Sequence, residues 1–172
     1  MIAIEAVEIP ATALIARAFP ETHYADAYRA PVPAGKEYDI ESVTRAFFNS
    51  APAWVDALME LRDTLVRPLG LHTAPAVASR DLQGIAFQPG TSTGLFHVFQ
   101  KTSGEIVLGE NDRHLDFRAS ILLTSENGVQ WVTLATVVHF NGWLGRAYFL
   151  PVRPFHKLIV PAMLKNMIRN LK

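Results

Sequence analysis

The chain has 172 residues, of which 49% are hydrophobic and 19% charged, with sixteen basic and sixteen acidic side chains and no cysteine. That length suffices for a single domain over 1–172 with a full core, because a chain of about 150 residues buries roughly 70% of its unfolded surface, and the apolar richness argues against disorder. The balanced charge speaks against a nucleic-acid partner, and the missing cysteine excludes disulfides, thiolate catalysis and cysteine-ligated metal centres.

The opening MIAIEAVEIP is not a signal peptide, since Glu5 and Glu8 interrupt its apolar run. No apolar stretch approaches the ~20 residues of a transmembrane helix, so a soluble, cytoplasmic protein is expected. ETHYADAYRAPV, 21 to 32, mixes aromatic and small residues before a proline turn and reads as an edge strand. Asp39 looks like an N-cap, with Ile40, Val43, Thr44 and Phe47 at helical spacing behind it. Ser50 caps a second predicted helix whose seam is Trp54, Leu58, Leu61 and Leu65, stopped by Pro68 and Gly70. From His72 to Thr93 the pattern dissolves apart from GIAF, which hints at a short strand. This stretch is either a lid over a site or a poorly marked strand pair.

The second half alternates more clearly. GLFHVFQ, TSG and EIVLGE read as one hairpin; LDFRASILLT, SENG and VQWVTLATVVHF read as another, with Asn127-Gly128 suited to a primed turn. GWLGRAYF then reads as a short helix or turn, and Pro154 opens a final helix kinked at Pro161. Arg153, Lys157, Lys165 and Arg169 recur at four-residue steps, a stripe that suits a solvated face or an anionic membrane. One strand, two helices, an antiparallel meander and a terminal helix give an α+β fold in which a curved sheet wraps around the last helix.

GENDRHLDFRAS, 109 to 120, carries the densest polar chemistry. On a continuous strand Asp112, His114, Asp116 and Arg118 share one face and Leu115, Phe117, Ala119 and Ile121 the other. Facing a cavity, His114 between the carboxylates of Asp112 and Asp116 is a candidate general acid or base. Facing outward, the same residues form ordinary surface charge pairs worth about 0 to 1 kcal/mol each, and the uniformly apolar opposite face favours that reading.

His97, His114 and His139 lie on predicted strands, and three imidazoles can hold zinc. None forms a short HxH or HxxxH pair, and no metal or other cofactor is expected. His97 and His139 sit on apolar faces, where a histidine is either a core residue with one partner or a polar group orienting a ligand. With Phe99, Phe117, Trp131 and Tyr148 they form the candidate ligand-binding set. The chain has no GxSxG elbow and no GxxxxGK[ST] loop, and TSTG and TSG read as turns.

HYADAY at 23 to 28, AFFNSAPAWVDALMELRDTLV at 46 to 66, LGENDRHLDFRASILL at 108 to 123 and VTLATVVHFNGWLGRAYFLPVRPFHKLIVPAMLK at 132 to 165 resemble an uncharacterised bacterial domain-of-unknown-function family, number 2867, within the START/Bet v 1-like (SRPBCC, helix-grip) superfamily. The resemblance covers most of the chain. It implies a gap between sheet and terminal helix that holds a small, mostly apolar molecule. Similar domains follow a nucleotide-binding oxidoreductase domain in some larger proteins, but no GxGxxG turn is present here. Two other roles stay open: a cyclase- or dehydratase-like enzyme using a cavity His/Asp pair, and a homodimeric interaction module.

Overall fold

The computed structural model describes residues 3–52, 54, 86–93 and 96–171. Six strands, β1 (Glu5–Ala6), β2 (Tyr24–Pro31), β3 (His97–Lys101), β4 (Glu105–Asn111), β5 (Leu115–Glu126) and β6 (Val129–Phe140), form one antiparallel sheet in the order β1-β2-β6-β5-β4-β3. With helices α1 (Ile40–Phe48) and α2 (Trp143–Asn170) they make a curved sheet carrying a long C-terminal helix, the expected α+β, helix-grip arrangement. The expected helix behind Ser50 and most of the 72–93 segment lie outside the described residues.

Local chemistry explains the best-ordered elements. Asn127 (φ 52°) and Gly128 (φ 79°) both take left-handed backbone, the geometry of a primed two-residue turn, and this joins the twelve-residue strands β5 and β6 in the register Glu126↔Val129 to Leu115↔Phe140. Thr102 Oγ1 accepts from the backbone N–H groups of Gly104 and Glu105, closing the β3–β4 turn. The Asp39 carboxylate accepts from Ser42 N–H at 2.9 Å and caps α1 as its sequence indicates.

Side-chain alternation divides the sheet into two apolar faces. On the helix face Ala30, Val98, Ile106, Leu108, Ile121, Val132 and Leu134 pack with Val43 of α1 and Leu164, Met167 and Ile168 of α2. On the outer face Ala27, Val107, Ala135 and Val137 are covered by Ala13 and Ile15 and flanked by Val7, Ile9 and Phe19. Residues 7 to 19, to which the sequence assigns no element, therefore form the outer layer of the core. Their 3-10 turn, Leu14–Arg17, is tied down by the buried carboxylate of Glu105, which accepts from Leu14 N–H at 2.7 Å and Ile15 N–H at 3.3 Å.

Three expectations are corrected. The strand predicted for 21 to 32 is not the sheet edge throughout: β1 pairs with it at Tyr28 and Arg29, and Val7 N–H reaches Ala27 C=O at 3.0 Å, leaving Tyr24 to Asp26 uncovered. The terminal helix does not begin at Pro154 but runs unbroken for 28 residues with Pro151, Pro154 and Pro161 inside it. Each proline removes a helical N–H, but Gly145, Phe149, Leu164, Met167 and Ile168 are buried along the helix, and that packing overrides the local preference. The third correction concerns 109 to 120. β4 ends at Asn111 and β5 starts at Leu115, so Asp112, Arg113 and His114 form a tight turn, closed by Asp112 N–H donating to Leu115 C=O at 3.1 Å.

Candidate functional site

That turn separates the four residues expected to form one polar ladder. Asp112 and His114 lie in the loop, while only Asp116 and Arg118 project from β5, on the outer face with their cross-strand partners His139 and Val137. Leu115, Phe117 and Ile121 face the helix side, as the alternation indicates. The carbonyl of His114 accepts from Asn141 N–H, and a Cβ built on Gly145 would stand 2.1 Å from that carbonyl oxygen. The first turn of α2 thus packs on the 112–114 turn, and Gly145 is the residue that permits it. Asn141 Nδ2 bridges Asp112 C=O (2.8 Å) and Asp116 Oδ1 (3.2 Å).

Arg118 is buried, and burial pulls its pKa down against the opposing charges of Asp116 and Glu110. Its guanidinium lies 3.4 Å from the centroid of the Phe99 ring and 4.9 Å from that of Phe19. It donates to the carbonyls of Glu110 (3.2 Å) and Phe117 (2.8 Å) and to Asn111 Oδ1 (2.8 Å). The opposed Gly109 leaves it room, since a Cβ there would stand 2.1 Å from Phe117 O and 2.9 Å from Arg118 Cδ.

The six candidate ligand-binding residues do not form one group. His97 is exposed on the edge strand and donates through Nδ1 to Glu110 at 2.8 Å. Phe99 occupies the bulge between Val98 and Gln100, beneath Arg118. Trp131 stacks under Arg29, whose guanidinium is 4.5 Å from its ring centroid. Phe117 and Tyr148 join the helix-side cluster of Leu115, Val138 and Phe149.

His139 meets Glu21 and His23, whose ligand atoms all lie within 4.8 Å of one another. Among the described residues this is the one group of metal-ligand type, and neither His97 nor His114 belongs to it. The hydrogen bonds show how well it suits a cation. His139 donates Nδ1–H to Glu21 C=O at 2.8 Å, leaving Nε2 with a lone pair. His23, however, accepts Phe140 N–H at Nδ1 (3.0 Å), which places its proton on Nε2, 3.6 Å from the Glu21 carboxylate. As hydrogen-bonded, the group supplies one imidazole nitrogen for a metal rather than two.

The group with chemistry to spare lies between β2 and α2. Tyr24 donates to Asp26 Oδ2 at 2.6 Å, and His156 of α2 donates Nε2–H to Asp26 Oδ1 at 3.2 Å. The Asp26 and His156 side chains are only 12% and 20% exposed. Burial, then the hydrogen bond to Asp26 and the Asp26 charge, push the Tyr24 phenol well above its ordinary range, so it stays a donor. Tyr28 is raised by burial and by Asp26 in the same way.

A groove of about 510 Å³ opens here, lined by Tyr24, Asp26, Tyr28, Val7, Arg153 and Lys157 among others. It exists because β1 stops short and leaves this part of β2 uncovered. Arg153 also stands with its guanidinium 5.6 Å from the Tyr24 ring centroid. Tyr24 and Asp26 fall within HYADAY at the i, i+2 spacing of one strand face, the signal available in sequence. His156 lies 130 residues from Asp26 and gives no such signal.

The model of a family described as "Protein of unknown function (DUF2867)" matches residues 18–163. No curated protein and no solved structure matches the chain.

Proposed function

We propose that this chain, which belongs to the DUF2867 family of proteins of unknown function, binds a small molecule in the groove between β2 and α2, with Asp26, held by Tyr24 and His156, as the carboxylate that meets it. The observation that carries the reading is the hydrogen-bonded series Tyr24, Asp26, His156 at a groove with a basic rim. Tyr24 and His156 hold both carboxylate oxygens of Asp26, and Asp26 fixes the His156 tautomer. His156 stands behind Asp26 and outside the lining of the groove, so the Asp26 carboxylate is the group that meets a ligand hydroxyl. Arg153 and Lys157 suit an anionic or carbonyl end, and the faces of Tyr24 and Tyr28 suit an apolar body.

This modifies the expectation of a mostly apolar ligand: the recognised end is polar. A place in the helix-grip superfamily of START-like proteins and a cytoplasmic setting form part of the same proposal, supported by the sheet-and-helix layout. Among the described residues no helix is long and apolar enough to cross a membrane.

The test is native mass spectrometry of the freshly purified protein after incubation with a small-molecule extract, beside Asp26→Asn and Arg153→Ala/Lys157→Ala. The expected result is a discrete adduct on the unaltered chain that weakens at least about tenfold in either variant, the loss of one charge-assisted contact. An adduct retained equally by all three proteins would place the ligand elsewhere. A bare 19.1 kDa chain throughout would remove the binding reading.

A further inference from the structure

Among the described residues, nothing packs on one face of the N-terminal half of α2. At about 100° per residue, Tyr148, Phe149, Val152, Gly145 and His156 form the face turned to the sheet, and all are buried or half-buried. The opposite side is apolar and in solvent: Trp143 and Leu150 are each 74% exposed, Leu158 64%, Phe155 41% and Leu144 39%. Together they cover an arc of about 140° that no charged residue interrupts. Arg146, Arg153 and Lys157, all exposed, form a row along one edge of this arc.

Charge is segregated as well. α2 contains five basic side chains and no acidic one, although the whole chain is neutral, so eleven basic residues elsewhere meet all sixteen acidic ones. An apolar arc beside a cationic row on a convex helix has the chemistry of a surface that lies in a lipid headgroup layer. The face is a ridge, not a groove, which suits a fluid surface better than a peptide. In antiparallel pairing with a second copy about a dyad perpendicular to the helix, both basic rows would fall on the same edge and repel. Pro151 and Pro154 remove helical donors to the carbonyls of Ala147 and Leu150. Those carbonyls need water, which the headgroup layer provides and the hydrocarbon core does not.

We infer that the exposed face of α2, with Trp143, Leu150 and Leu158 as apolar anchors and Arg146, Arg153 and Lys157 as its cationic edge, docks the protein peripherally on an anionic phospholipid surface. Flotation of the full chain with phosphatidylcholine vesicles, with and without phosphatidylserine, tests it. The chain floats with the phosphatidylserine vesicles alone, added salt releases it, and tryptophan emission shifts to the blue in a manner that Trp143→Phe abolishes. Leu150→Ser/Leu158→Ser, with unfolding monitored to show that it is folded, loses at least about tenfold in partitioning, and Arg146→Gln loses about fivefold.

Failure to float with either vesicle overturns the inference, as does unchanged flotation of the leucine variant. Sedimentation showing a dimer that the same leucine substitutions convert to monomer would assign the face to a second copy instead. Trp143, Arg146, Leu150 and Leu158 do not line the groove, so docking and ligand binding fail separately.

Discussion

Two polar clusters, one on each side of the sheet, use the same kinds of groups to opposite ends. Around Arg118 on the outer face, three acceptors and two aromatic rings consume the guanidinium, and the N-terminal segment seals the site. Around Asp26 on the helix side, the carboxylate is equally well held, but the groove reaches it, and two cations on the rim remain for something from outside. A buried polar group whose bonding capacity is met inside the protein belongs to stability. One held in place with capacity left over is suited to function.

The contrast is sharpest at Gly109. Valine there would press Cβ against Phe117 O and Arg118 Cδ, and we expect a loss of about 3 kcal/mol or more in urea unfolding, or no folded protein at all. Arg118→Met leaves Asn111 Oδ1 without its donor and takes a second donor from the carbonyls of Glu110 and Phe117, which also pair in the β4–β5 ladder, and should cost about 2 to 3 kcal/mol. His156→Gln should cost about 1 kcal/mol or less, because Asp26 can turn to water in the groove. Equal losses in these two variants would break the comparison.

A smaller effect is expected in acid. Asp39 is held below the ordinary carboxylate range by the Ser42 backbone N–H, and Glu41 by its hydrogen bond to Lys101. A carboxyl depressed in the folded state adds stability above its unfolded value, near 3.8 for Asp39 and 4.5 for Glu41, and loses it as pH falls through the lower folded value. Stability measured from pH 6 downward should therefore decline across this window, and Asp39→Asn/Glu41→Gln should flatten the decline. The smallest effect belongs to Ser120, whose buried hydroxyl has no hydrogen-bond partner. Ser120→Ala should be neutral or stabilising, within about 0.5 kcal/mol by thermal unfolding.

Much of the fold was legible because its signals are local. Alternation and Asn127-Gly128 mark the β5–β6 hairpin, Asp39 marks the start of α1, and the apolar run of β5 marks the side that meets the helix. The strands EIVLGE and LDFRASILLT were legible on either side of Asp112 to His114, but the shared face read through these residues was not real, because pairing of β4 with β5 and the seat that Gly145 provides for α2 bend the chain there. The unbroken course of α2 past Pro151 and Pro154 was also hidden, since proline chemistry is local whereas the burial that outweighs it comes from the sheet.

Local pattern was enough for five of the six strands, the N-cap at Asp39, the antiparallel order of the second half and the concentration of positive charge in the last helix, all properties of neighbours a few residues apart. Packing between distant segments is what lays residues 7 to 19 over the outer face, ends β1 early enough to leave a groove, and brings His156 to Asp26. Periodicity fixes which way a side chain points relative to its own strand or helix. It carries no information about which distant side chain will be packed opposite.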